Sequence, residues 1–274
     1  MTERILITGA AGGVGTLMRP RLAREGRILR LLDIAEQPPA GEGEAVELVT
    51  ASVTDLAAME AACAGVSAVI HLGGHSLERP WADIMDVNIN GTYTVFEAAR
   101  RQGVPRVVFA SSNHAVGFAP RAEGEVAGNA FPRPDTNYGV SKVAGEAIAS
   151  HYADRYGIDV LCVRIGSCFE RPKDLRMLST WLSPADGARL FEACLSTPDP
   201  GFRVLWGVSD NTRRWFSLEE AKAIGYVSQD DSETYAAELI AEHGEPDVTA
   251  PPHNLVGGIW CSADYDTAKK EAGR

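Results

Sequence analysis

A glycine triplet set between an apolar strand and a helix constrains this chain more than any other feature. Residues 4–8, Arg-Ile-Leu-Ile-Thr, run straight into Gly9-Ala10-Ala11-Gly12-Gly13-Val14-Gly15. Gly9, Gly12 and Gly15 have the spacing G-x-x-G-x-x-G. The first permits a tight turn, the second lets backbone approach a pyrophosphate, and the third lets the helix pack closely on the strand. The helix start, with Gly13 and Val14 in the same turn, then offers unpaired N–H groups and the positive end of a dipole to phosphate. Glycines mark turns of every kind, so the triplet alone is weak. Its place between strand and helix at the head of a βαβ pattern makes it specific.

That pattern continues. Short apolar segments at 4–8, 28–33, 45–50, 68–72, 106–110 and 160–165 have no polar alternate face, as strands buried on both sides of a parallel sheet do. Helical spacing fills 14–25, 55–63, 81–101 and 138–156. Alternating β and α predicts an α/β fold, a Rossmann-type doubly wound sheet with right-handed crossovers. After Ile165 the loops lengthen and four of the five tryptophans appear. Residues 1–165 are therefore expected to form an NAD-binding domain. Residues 166–274 form a small substrate-binding cap that partly returns to the core, with a strand near 202–206 and helices near 184–196, 217–224 and 231–242.

Asp33 closes the second strand. A carboxylate there accepts both hydroxyls of an adenosine ribose and repels a 2′-phosphate, and no arginine follows it, so the cofactor expected is NAD rather than NADP. Tyr138 and Lys142, four apart at a helix start, share one face. An ammonium beside a phenol is expected to favour the phenolate and make the tyrosine a base. Ser112, with Ser111 the neighbouring alternative, stands at the carboxyl end of the fifth strand, where such sheets bind ligands, and could hold the reacting oxygen.

The charge balance excludes other classes. With 26 basic and 37 acidic residues the formal charge is −11, which argues against nucleic acid as a partner. No apolar run reaches the length of a membrane span, and the first residues do not read as a signal peptide. Five cysteines without a Cys-x-x-Cys suit reduced thiols and a cytoplasmic location. Arg19, Arg21, Arg24, Arg27 and Arg30 read as a solvated basic face. The six histidines form no metal motif, and no nucleophile elbow or phosphate loop with Gly-Lys-Ser/Thr occurs.

Together these motifs resemble the extended branch of the short-chain dehydrogenase/reductase superfamily over at least residues 4–166. Asn88-Ile89-Asn90-Gly91-Thr92 matches that branch's helix motif, and His71-Leu72-Gly73-Gly74 the segment beside the cofactor. Ser111-Ser112-Asn113-His114, Arg164-Ile165-Gly166-Ser167-Cys168 and Arg176-Met177-Leu178-Ser179-Thr180-Trp181 narrow the resemblance to the uronate dehydrogenase family. The resemblance implies NAD-dependent oxidation of glucuronate or galacturonate to an aldarate lactone. It implies Tyr138, Lys142 and Ser112 as catalytic residues. Leu72, Gly73, Gly74, Asn88 and Ile165 join the glycine loop, Asp33, Tyr138 and Lys142 around the cofactor. Ser76, Ser112, Asn113, His114, Tyr138, Ser167 and Arg176 contact the sugar, with Arg176 forking onto its carboxylate. Ser52-Val53 replaces the branch's usual acidic adenine contact, and Asp55 caps a helix. The partner is a small uronic acid, and self-association is expected. The competing readings are a nucleotide-sugar epimerase or dehydratase, which needs a larger cap, and an NAD-sensing regulator, which has no use for Tyr138 and Lys142.

Overall fold

The computed structural model describes residues 2–262 and Tyr265. Its elements run β1 (Glu3–Thr8), α1 (Gly13–Leu22), β2 (Arg27–Asp33), β3 (Val46–Thr50), α2 (Leu56–Cys63), β4 (Ala68–His71), α3 (Trp81–Asp83), α4 (Gly91–Arg101), β5 (Arg106–Ser112), α5 (Asn137–Tyr156) and β6 (Asp159–Ile165). Then follow β7 (Ser167–Cys168), α6 (Met177–Thr180), β8 (Trp181–Leu182), α7 (Pro184–Ser196), β9 (Phe202–Gly207), α8 (Glu219–Ala223) and α9 (Ala236–His243). Seven strands form one parallel sheet in the order β3-β2-β1-β4-β5-β6-β9. This is a Rossmann-like α/β fold.

The strands carry apolar side chains on both faces because helices cover both. Ile5, Ile7, Leu29 and Leu31 meet Met18 of α1 and Leu190 and Phe191 of α7 on one side. Leu6, Leu32, Val69 and Val107 meet Phe96 of α4 and Tyr152 of α5 on the other. The chain after Ile165 is thus built into the core: α7 lies against the sheet and β9 extends it beside β6.

The expected 81–101 helix is interrupted, since Ile84–Asn90 adopts the wider π-helical turn between α3 and α4. Such turns recur at functional sites because they re-aim side chains. One charge assignment is corrected. Arg27 is on no solvated face: it is 2% exposed and bridges Glu3 and Glu192. Its neighbours are also tied down, Arg19 to Glu44 and Arg30 to Glu47 at 2.7 Å each. Residue type predicted charge but not burial, because β2 runs through the sheet interior.

Candidate active site

The carboxyl ends of β1, β2 and β4 make the first part of the site. Gly9 has φ +70°, and a Cβ there would sit 2.7 Å from the Gly73 nitrogen, so the loops after β1 and β4 touch. A Cβ on Gly15 would sit 2.5 Å from the Gly9 carbonyl oxygen, which is why the helix can start so close to the strand. No side chain caps α1 at Gly12 and no acidic residue occupies its first turn, so its N-terminus suits phosphate. Asp33 accepts the N–H groups of Ala11 and Ala35, each at 2.9 Å. It holds the glycine loop while each oxygen keeps a lone pair for a ribose hydroxyl. These features fit a dinucleotide.

On the adenine side, Ser52 and Thr54 share a hydrogen bond of 2.8 Å, and Val53 is buried against Gly73 and Gly91. Asp55 N-caps α2 by accepting from Ala58. Beside Gly73 a hydrogen-bond chain fixes the loop. Gly73 N–H donates to Thr8 Oγ1 (3.1 Å), and the Thr8 hydroxyl meets His71 Nδ1 at 2.7 Å. Thr92 gives its own proton to the Asn88 carbonyl, so it must accept from His71 Nε2–H at 3.2 Å, and Nδ1 must be the acceptor. Burial, with the Lys142 charge adding to it, pushes His71 down to about 3, and the imidazole is neutral. The Asn88 amide is occupied too. It accepts from His75 N–H at 2.7 Å and donates to the His75 carbonyl and Ser141 Oγ, each at 3.0 Å.

Helix α5 brings Tyr138 and Lys142 beneath β5. Its start is set twice, by Thr136 accepting from Gly139 and by Glu78 accepting from Asn137 (3.2 Å) and Tyr138 (2.7 Å). Tyr138 and Lys142 are 7% and 8% exposed. Lys142 donates to the Ala110 carbonyl at 2.8 Å and lies 5.4 Å from the Tyr138 ring centre. The two serines part ways, as neighbours on a strand must. Ser112 lies on the side of Tyr138, where its hydroxyl favours the anion, and accepts the His114 N–H at 3.2 Å, whereas Ser111 points to the other face and donates to Glu146 at 2.6 Å. Glu146 also takes Arg164 in two bonds of 2.8 Å.

The protein's own groups do not lower the phenol as expected. Burial pushes Tyr138 up to about 12, outweighing the Ser112 hydrogen bond that favours the anion. Burial likewise pulls Lys142 down to about 8, against the nearby Glu146 charge. Spacing showed that the two side chains share a face but not that both are desolvated.

Of the residues expected on the sugar side, Asn113 meets Arg176, and His114 and Arg176 both meet residues 256–260. Ser76 is exposed and Ser167 is buried on β7, bonded to Thr180 at 3.0 Å. In the amide orientation that satisfies both ends, Asn113 accepts from Arg176 at 2.6 Å and donates to the Ile165 carbonyl at 3.2 Å. Arg176 also donates to the Val256 carbonyl, at 2.7 and 3.2 Å. Among the described residues no carboxylate forms an ion pair with it, and burial lowers its pKa. A cavity of about 310 Å³ borders Arg176 together with Arg121, Thr180, Trp215, His253 and Val256; Tyr138 and Ser112 do not line it.

Residues 254–261 were not foreseen as part of the site. Arg121 N–H donates to the Asn254 carbonyl, Val256 N–H to Ala119 and Gly257 N–H to Gly117, at 2.8, 3.1 and 2.8 Å. This strap carries Trp260 onto His114 (ring centres 3.9 Å apart) and to within 6.0 Å of the Tyr138 ring. Glu78 and Asp135 were missed as well, since neither lies in a recognisable pattern. Glu146 had a signal, its i+4 spacing from Lys142 on one helix face.

A sequence model of the "NAD dependent epimerase/dehydratase family" matches residues 5–215. A uronate dehydrogenase of Pseudomonas putida is 46% identical over 95% of this chain and 96% of that protein. An NAD-dependent glucose-6-phosphate dehydrogenase of Haloferax volcanii is 37% identical over 90% of this chain and 98% of its own. A crystal structure of a tyrosine mutant of uronate dehydrogenase from Agrobacterium tumefaciens, complexed with NAD, superposes with a TM-score of 0.90. It is 39% identical, over 97% of this chain and 98% of that one.

Proposed function

The chain belongs to the NAD dependent epimerase/dehydratase family and, within it, to the uronate dehydrogenases, and from that premise we propose that it oxidises a hexuronic acid at C1 to the aldarate lactone with NAD. The observation that carries the choice of substrate is Arg176. It is a guanidinium whose hydrogen-bond partners among the described residues are a carbonyl and an amide, while the carboxylates of Asp174 and Asp135 act on it from beyond ion-pair distance. A partly buried cation left in this state calls for a charged ligand. The C6 carboxylate of a uronate supplies one, and Nη1 is the arm left to meet it, since Nε and Nη2 are held by Val256 and Asn113.

In this reading NAD, when bound, supplies the hydride acceptor and the positive charge of its oxidised ring. Tyr138, once the charges of Lys142 and the oxidised cofactor have driven off its own proton, would take the proton of the C1 hydroxyl as the C1 hydride leaves, so the carbon becomes a lactone carbonyl and no water has to attack. Ser112 holds the same oxygen from the other side. Lys142, anchored on the Ala110 carbonyl, places its charge beneath Tyr138, where it stabilises negative charge as the proton moves. Asn113, His114, Ser76 and Ser167 line the sugar. Residues 1–165 carry the cofactor side and the catalytic Ser112, Tyr138 and Lys142, and 166–274 complete the sugar side with Ser167 and Arg176.

Self-association belongs to the same proposal. Tyr93 and Tyr156, 48% and 43% exposed on α4 and α5, offer an aromatic face a second copy could cover; light scattering tests it. Five free thiols, four of them buried, suit a reducing cytoplasm.

The deciding assay is NAD reduction with glucuronate, galacturonate and neutral hexoses, in wild type and in Arg176→Ala. Losing one partner of such a pair costs about 2–5 kcal/mol, so uronate kcat/KM should fall roughly 30-fold to several thousand-fold while hexose turnover barely changes. Arg176→Lys should recover part of the loss. An unchanged ratio of uronate to hexose kcat/KM would refute the carboxylate clamp.

A further inference from the structure

We propose that Asp135 is a positioning residue that fixes the tautomer of His114, making Nε2 an acceptor that reads a ring hydroxyl of the sugar. The inference rests on the uronate reading of the same site.

The Asp135 side chain is fully buried, and its Oδ2 lies 2.7 Å from His114 Nδ1. An ionised carboxylate only accepts, so Nδ1 carries the proton. In a neutral imidazole the lone pair then belongs to Nε2. Among the described residues Nε2 has no hydrogen-bond partner.

The imidazole is kept neutral by its surroundings. Burial lowers the His114 pKa in spite of Asp135, and the Arg176 charge acts in the same direction.

Asp135 cannot swing away. Its Oδ1 accepts the Thr136 hydroxyl at 3.0 Å, and Thr136 Oγ1 in turn accepts the Gly139 N–H at 3.0 Å, which ties the carboxylate to the start of α5. Gly117 and Gly257 pack so closely that a Cβ on either would collide with the carboxylate. The ring plane is held as well, by Trp260 stacked on it and by the edge of Tyr138, whose ring centre is 5.9 Å away.

A division of labour follows. A lone pair at Nε2 takes a hydroxyl proton and repels a carboxylate. His114 therefore reads a neutral hydroxyl near the reacting carbon, and Arg176 alone reads the charge at C6. The wrong tautomer would turn an N–H toward the sugar and force the hydroxyl to present its oxygen.

The test starts with wild-type protein labelled with nitrogen-15 on its histidines, His114 being assigned by its loss in His114→Gln. The expected spectrum has Nδ1 protonated and Nε2 bare. A proton on Nε2 overturns the proposal, and this measurement needs no Asp135 variant to fold. Asp135→Asn should lower uronate kcat/KM by about 10- to 100-fold, the range for a buried hydrogen bond set wrongly, with NAD affinity kept. His114→Gln offers an amide oxygen without needing Asp135. In that background Asp135→Asn should change kcat/KM by less than about 2-fold. If the two losses instead multiply, Asp135 acts on the fold and not through His114, and the proposal fails. If wild type reduced no NAD with any uronate, the substrate reading would fall while the tautomer still decided the part played by Asp135.

Discussion

The indole of Trp260 lies stacked on the imidazole of His114, with ring centres 3.9 Å apart and 22° between the planes. The two residues come from opposite ends of the site's construction, His114 from the turn after β5 and Trp260 from the strap near the end of the chain. Stacked aromatic pairs contribute about 0.5–1.5 kcal/mol beyond the area they bury. Trp260→Ala should therefore raise the uronate KM by roughly 2- to 10-fold. NAD affinity should not change, because the glycine loop and Asp33 lie elsewhere. Steady-state kinetics with a separate NAD titration distinguish this from general unfolding.

Tyr138→Phe keeps the ring that packs against His114 and Trp260 and removes the proton acceptor. It should cut kcat by about 10²- to 10⁴-fold, the usual contribution of a positioned base, with NAD binding nearly unchanged. Lys142→Met should harm both. A Tyr138→Phe enzyme that retained most of its turnover would remove the tyrosine from the mechanism.

Asp33 should make the enzyme prefer NAD to NADP, because its carboxylate sits at the end of β2, bonded to the glycine loop at Ala11. Comparing kcat/KM for the two cofactors tests this directly. Asp33→Ser should narrow the gap, losing more with NAD than it gains with NADP, since it also loosens the loop.

His71 should make the fold sensitive to acid. Its folded value is about 3 and its reference value 6.5. Between these values the unfolded chain takes up a proton that the folded chain cannot. Stability from this group is thus full above about pH 6.5 and falls as pH drops toward 3, by roughly 3 kcal/mol between about pH 7 and pH 4. His71→Gln keeps a donor and an acceptor for Thr92 and Thr8 and should flatten that slope in urea titrations. Equal slopes in both proteins would contradict the assignment.

Much of the sheet was legible because β1, β2, β4, β5 and β6 each carry a short apolar run buried in the sheet; β3, expected to be buried on both sides as well, is an edge strand with Leu48 43% exposed. Asp33 and the glycine loop were legible for a related reason: they sit where a strand stops. Spacing could also place Tyr138 and Lys142 on one face. It could not foretell which of Ser111 and Ser112 meets the tyrosine, since one residue of strand register decides that. Nor could it foretell the phenol's shift, since desolvation depends on what packs from other elements. The strap was hidden for a different reason. Residues 254–261 have no hydrophobic period, and they hold their place through backbone bonds to Gly117, Ala119 and Arg121, which any side chains could make.

The Val256 carbonyl that receives Arg176 stands 80 residues further along the chain than the guanidinium it holds. The dinucleotide cradle, built from β1, α1, β2 and β4, closes on its own loops through Asp33, Gly9 and Gly73. The proposed grip on the sugar does not, because Arg176 and His114 both take partners from the strap. A protease cut in the strap should therefore separate the two jobs, leaving a protein that holds its cofactor but has no finished place for a substrate.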